Sequence, residues 1–213
     1  MKKMLSILII MFSISINACG AGGRSLTPEE INWFNAEFFC SQSGEVWSQA
    51  GQFLVKEFDS IEDVELDEVF YNGMPEGDGG SSITEEELAY LQSVGAEMEL
   101  DMVKVTKEYL EQNIERYLGV SLKQIENESI ESFHYWEEYE TYFLSHSDTN
   151  MVFVRVLEGQ QLAEDTIELI CAVSDRSFEA LTEAELTRLP KHKVVLKQCE
   201  DTYCFVSNTY LVG

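Results

Sequence analysis

The chain is short of proline, of histidine and above all of positive charge. Three prolines in 213 residues leave no room for a polyproline linker or a Pro-rich tail. Fourteen Lys and Arg face 39 Asp and Glu, a net charge of −25. A surface so poor in bases cannot displace the counterions of a phosphate backbone, which disfavours nucleic acid and, by the same argument, anionic lipid headgroups. The longest uncharged apolar run, residues 4–16, is too short to cross a bilayer, which takes roughly 20 residues. The chain also lacks GxSxG, a P-loop, HExxH, paired CxxC and an EF-hand loop, so the usual spacings for nucleophiles, phosphate cradles and metal cages are missing. There is no internal repeat.

What is present folds. Hydrophobic residues make up 45% of the chain, with 12 Phe and 9 Tyr, which rules out a disordered acidic tail. The acids are dispersed rather than run together. They suit a solvated, soluble face more than a dedicated attractor of cationic peptides or divalent metals.

The first residues carry an address. Lys2 and Lys3, the apolar run 4–16 and then Asn17-Ala18-Cys19-Gly20 match the three regions of an export signal. Ile16-Asn17-Ala18-Cys19 resembles a bacterial lipobox, whose cysteine receives a diacylglyceryl group before cleavage. Asn17 departs from the small or hydroxylated residue expected there, and ordinary secretory cleavage that releases a soluble protein is the competing reading. The expected organisation is a signal peptide over residues 1–18, a lipid-anchored tether over 19–25 and one α+β domain over 26–213. Removing residues 1–18 takes away two lysines and no acid, so the mature charge is −27.

With Cys19 reserved for lipid, Cys40, Cys171, Cys199 and Cys204 can pair in three ways. Only Cys199 and Cys204 have local support, because a hairpin centred on Glu200-Asp201 brings them face to face. Four buried thiols are the alternative. Cys40 lies in an apolar helical stretch and is expected in the core.

Two capping boxes open helices, Thr27-Pro28-Glu29-Glu30 and Thr84-Glu85-Glu86-Glu87, and Gly95 is expected to end the second. Residues 72–82 are rich in turn formers and read as a surface loop, a candidate binding element. A partial alternation puts Met98, Leu100 and Met102 on one side of a strand, and helical spacing follows from Tyr109 to Leu118 before Gly119. Beyond Phe133 the pattern turns to strands, with a connecting helix or long loop at 178–189. Helices first and strands after predict an α+β domain, with N-terminal helices packed on one face of a C-terminal antiparallel β-sheet.

One compact polar constellation stands out, His146-Ser147-Asp148-Thr149-Asn150, with His134 and Glu137, Glu138 and Glu140 upstream. Imidazole and carboxylate together could hold a metal or relay a proton, and His134, His146 and Asp148 are the weak metal candidates. Turn chemistry alone accounts for every residue after His146. His192, beside Pro190 and Lys191, is expected to be exposed.

The strings Leu26-Thr27-Pro28-Glu29-Glu30-Ile31, Phe70-Tyr71-Asn72-Gly73, Ile83-Thr84-Glu85-Glu86-Glu87-Leu88 and His146-Ser147-Asp148-Thr149-Asn150, in that order, resemble a set of uncharacterised lipoproteins of Gram-positive Firmicutes. In those proteins the last string usually has glycine before the aspartate, where this chain has Ser147. The resemblance implies lipidation and a single α+β domain, and it transfers no activity, cofactor or catalytic residue. Two expectations follow. One is a non-enzymatic, membrane-anchored domain on the extracytoplasmic face of the cell membrane, binding a protein, peptide or small ligand through a sheet edge or the 72–82 loop. The other is a cell-envelope hydrolase or metal-dependent enzyme using His134, His146 and Asp148, with Glu138 as a further carboxylate.

Overall fold

The computed structural model describes residues 23–40, 47–74, 83–95, 101–125, 133–146 and 150–211, and for Asp101, Ser145 and His146 the backbone only. The expected signal peptide, Cys19, most of the 72–82 loop and Ser147, Asp148 and Thr149 lie outside the described residues.

The fold is α+β, with two antiparallel sheets where one was expected. The elements are β1 (Arg24–Ser25), α1 (Pro28–Trp33), α2 (Gln49–Gln52), α3 (Leu66–Phe70), α4 (Glu85–Ser93), β2 (Asp101–Thr106), α5 (Lys107–Leu118), β3 (His134–Trp136), β4 (Thr141–His146), β5 (Phe153–Gln161), β6 (Thr166–Ser174), α6 (Glu183–Leu186), β7 (Lys191–Cys199) and β8 (Thr202–Leu211). One sheet has the order β1-β5-β6-β7-β8 and the other β2-β4-β3. The short-range β5 to β8 meander explains why that part was readable from alternation alone. The second sheet takes β2 from the helical half of the sequence, where the alternation reaching Met102 announced a strand but not its pairing with β4.

Local chemistry sets the helix ends. Thr27 and Thr84 each accept from the N3 backbone while Glu30 and Glu87 reach back, so both capping boxes form. After α1 the backbone widens to a π turn over Phe34–Phe38, closed by Phe39 N–H donating to Phe34 O at 2.9 Å. That extra residue per turn rotates Phe34, Phe38 and Phe39 inward and leaves Cys40 exposed rather than in the core. Gly119 (φ 70°) ends α5, and a Cβ there would lie 3.0 Å from Cys204 Sγ, so glycine is needed for both conformation and room. In β2 the buried residues are Val103 and Val105, on the side opposite Met102, and both join the main core with Leu110 and Ile114 of α5.

The core lies between the five-stranded sheet and the elements before it. Phe205 on β8 is its hub, with ring centroids 5.2 Å from Phe53, 5.7 Å from Phe38 and 6.3 Å from both Phe39 and Tyr117. A smaller cluster forms where Tyr90 of α4 meets Trp136 at 4.5 Å and Trp136 meets Phe143 at 5.7 Å. The predicted tether is shorter than expected: Arg24 and Ser25 pair with Gln161 and Gln160, and Arg24 ion-pairs with Glu30 at 2.7 Å. None of the helices among the described residues is long and apolar enough to cross a membrane.

Candidate functional site

The structure joins two of the strings singled out in the sequence. The Asn72 side chain donates to Asn150 O at 2.9 Å and accepts from Asn150 N–H at 3.0 Å, locking the residues after α3 to the segment that leads into β5. Asn150 in turn donates from its own amide to Glu68 at 2.8 Å. Glu68 and Glu65 both lie 3.5 Å from Lys56 Nζ, and these carboxylates hold the ammonium pKa above its ordinary value. Burial raises the Asp67 carboxyl above the usual range, against a backbone N–H bond that favours the anion, and Asp67 Oδ1 has no hydrogen-bond partner.

Gln52 continues the pattern. Its amide nitrogen donates to Val152 O at 3.3 Å and its oxygen accepts from the Asn72 side chain at 3.0 Å, which holds the Asn72 carboxamide across the N–H and C=O of Asn150. Asn35 spans Val156 as Asn72 spans Asn150, donating to O at 3.0 Å and accepting from N–H at 2.8 Å. Leu26 N–H then donates to Gly159 O at 2.9 Å, and β1 takes the last two positions. Three carboxamide side chains and a two-residue strand therefore do for the outer edge of β5 what a neighbouring strand would do. They satisfy backbone groups that would otherwise template pairing with another chain. At the opposite edge, Asn208 exchanges both backbone bonds with Phe58 at 2.9 Å, and Tyr210 N–H donates to the Glu57 carboxylate. The sheet edge proposed as a binding route is thus partnered on both sides of the five-stranded sheet.

The histidines separate. His134 is exposed on β3, opposite Phe143 of β4. His146 sits three residues beyond Phe143, a displacement of about 10 Å along the strand. Glu138 accepts from the Tyr90 hydroxyl and raises its pKa. Among the described residues, no group of three or more His, Cys, Asp or Glu is arranged to hold a metal ion. His192 is fully buried, contrary to expectation, because it takes the inward phase of β7 with Val194 and Leu196 while Lys191 and Lys193 point out. Its Nδ1 lies 2.7 Å from Asn208 Oδ1. Asn208 donates its amide nitrogen to Lys56 O at 2.7 Å, so its oxygen faces the imidazole and Nδ1 carries the proton. Nε2 is left without a partner. Burial pushes the imidazole pKa down, opposed by Asn208 and by nearby Glu57.

Cys171 is the cross-strand neighbour of His192, so β6, β7 and β8 assemble Cys, His and Asn side chains on one face. The chemistry of a thiol nucleophile does not follow. All three are fully buried, and burial drives the Cys171 thiol far up, keeping it protonated. At the end of the sheet the structure bonds Cys199 to Cys204 across the β7–β8 turn, with Cα atoms 5.9 Å apart. An open cleft of about 490 Å³ beside α5 is lined by Glu108, Glu111, Glu115 and Glu140 with Lys107 and Tyr139. Its charge would repel anions. Comparison with known proteins returns no matching family model, no matching curated protein and no matching solved structure.

Proposed function

We propose that the protein is a lipid-anchored domain on the extracytoplasmic face of the cell membrane. In this reading it works by binding rather than by catalysis, through the surface where residues 72–74 meet Asn150. The anchor rests on the lipobox-like string ending at Cys19. The binding surface rests on one observation, the double hydrogen bond between Asn72 and Asn150. It makes two distant segments, both notable in the sequence, into a single polar locus with Glu68 and Lys56 at its rim. Partnering of both edges of the five-stranded sheet turns the proposal away from strand addition and toward this locus.

Two measurements test it. A palmitate analogue fed to cells should label the wild type and not Cys19→Ala, and equal label in both sinks the anchor. Cross-linking in intact cells should then yield captured species reduced at least about tenfold in Asn150→Ala and in Glu68→Gln, the loss of one to two polar contacts. Equal capture by variants that retain the wild-type circular dichroism would reject this surface.

A further inference from the structure

Segment 55–58, between α2 and α3, lies along the outer edge of β8 without becoming a strand. Phe58 and Asn208 exchange both backbone bonds at 2.9 Å, and Tyr210 N–H donates to the Glu57 carboxylate. The Tyr210 hydroxyl donates to Val55 O at 3.4 Å, and Asn208 Nδ2 donates to Lys56 O at 2.7 Å. Phe58 is buried, but Lys56 and Glu57 are exposed. The segment is therefore held largely by polar bonds near solvent, the kind of contact that opens before a sheet or a core does.

Asn208 divides its carboxamide between this segment and His192. Its nitrogen serves Lys56 O and its oxygen serves Nδ1 at 2.7 Å, so the ring and the segment are coupled through one side chain. Nε2 is buried and, among the described residues, has no partner. Buried polar groups are rarely left so, and this one is an acceptor only while the ring is neutral. A proton there makes a buried cation whose new N–H has no acceptor among the described residues. Cys171 faces the ring from β6, Asn208 and Tyr210 from β8, with the Tyr210 ring centroid at 4.2 Å, and Glu57 from segment 55–58. Lys56 turns its ammonium to Glu65 and Glu68 instead, and Lys191 and Lys193 take the outward phase of β7. Burial lowers the proton affinity of the imidazole more than Asn208 and Glu57 raise it.

We propose that segment 55–58 is an acid-sensitive strap, lifted from β8 by protonation of His192 so that the strand edge it covers at neutral pH is bared. Water reaches the new N–H only where the covering layer gives way. β6 and β8 are fixed to β7 by long ladders, from Thr166 to Ala172 and from Thr202 to Leu211, so the strap is the layer that yields. No covalent bond to a heavy atom of the fold changes, and the proton comes from solvent and returns to it. An imidazole in water titrates near 6.5, and the closed form takes its proton at lower pH. Between pH 7.5 and 5.0 the lifted fraction therefore rises by at most about thirtyfold, the gain that free protonation of the lifted form supplies. A bared edge at Asn208 and Tyr210 is a template for strand pairing, which the closed strap prevents.

The test is hydrogen exchange resolved to single amides, on the full chain purified from cells, at pH 7.5 and 5.0 and corrected for the intrinsic pH dependence of exchange. Protection at Phe58, Asn208 and Tyr210 should fall by about ten- to thirtyfold, while Leu169 and Val194 in the middle of the sheet keep theirs. His192→Asn retains a donor for Asn208 and takes no proton, so its strap amides should respond to pH by less than about twofold. The wild-type imidazole gives a second reading, because its titration by NMR should coincide with the loss of protection at those three amides. A titration that leaves them protected overturns the strap. So does an equal loss at Leu169 and Val194, because His192 then meets water only when the whole sheet opens. A response that survives in His192→Asn also overturns it and passes to Glu57 or to the Lys56 pairs with Glu65 and Glu68.

Discussion

Residues 26–150 carry 29 acids and 5 bases, a net of −24, whereas residues 151–213 carry 10 acids and 6 bases, a net of −4. The first region supplies most of the helices and the small sheet, and the second supplies β5 to β8. They differ in how they satisfy their backbones too. The sheet region pairs strand to strand, while the first region lends side chains, with Asn35, Gln52 and Asn72 acting as surrogate partners for the edge at residues 150–156. The lesson is that the two regions are not separate folding units. The acidic region closes the edge and fills the core of the other.

The largest test of that dependence is at Phe205. Its neighbours Phe38, Phe53 and Tyr117 all come from the acidic region. Phe205→Ala should lower stability by about 3–5 kcal/mol, the usual cost of emptying a buried aromatic site. Chemical denaturation followed by tryptophan fluorescence and far-ultraviolet dichroism should still give one transition. Two separated transitions would show the regions to be independent.

Next comes the edge. Asn35→Ala strips both partners from Val156, and a buried polar group left unsatisfied costs about 1–3 kcal/mol. Hydrogen exchange at the Val156 amide should rise far more than exchange in β7. An unchanged rate there would mean that a neighbour replaces the carboxamide.

The capped helices, the meander, the β7–β8 turn and the α+β class were legible because each is written in residues close together. His192 was misjudged although its signal was present: Lys191, Lys193 and Lys197 alternate with His192, Val194 and Leu196, and that phase outweighs proximity to Pro190. The inward turn of Cys40's neighbours depends on a π turn that no short pattern predicts. The Asn72 to Asn150 bond spans 78 residues, and a carboxamide partnering a distant backbone has no sequence signature. The resemblance strings contained both residues without saying that they meet.

His192 also offers a pH test of the sheet region. The imidazole is neutral in the fold, with its pKa lowered by burial, and titrates near 6.5 once unfolded. The unfolded chain therefore binds the extra proton first, so stability is full above pH 6.5 and declines as pH falls below it. One proton limits the slope to about 1.4 kcal/mol per pH unit. Glu57, Tyr210 and Cys171 are the titratable groups around it. His192→Gln should flatten the decline in that window, and an unchanged slope would assign it to other groups.

The smallest expected effect concerns β1, where the first residues described pair with the end of β5. Glu30 is held at a pKa of about 2, chiefly by the Arg24 guanidinium, with Thr27 N–H also donating to it. Its contribution is present above its unfolded value of 4.5 and is lost as pH falls from there toward 2. Solvent screens the pair, so Arg24→Ala should cost about 1 kcal/mol or less at pH 7, with the difference from wild type shrinking as pH falls from 4.5 through 2. The geometric consequence exceeds the energetic one. If β1 detaches, Gly23 to Ser25 add about 10 Å of extended chain ahead of α1. Hydrogen exchange at the Leu26 amide, which donates to Gly159 O, should then rise in Arg24→Ala. An unchanged rate there would show that β1 stays paired without the ion pair.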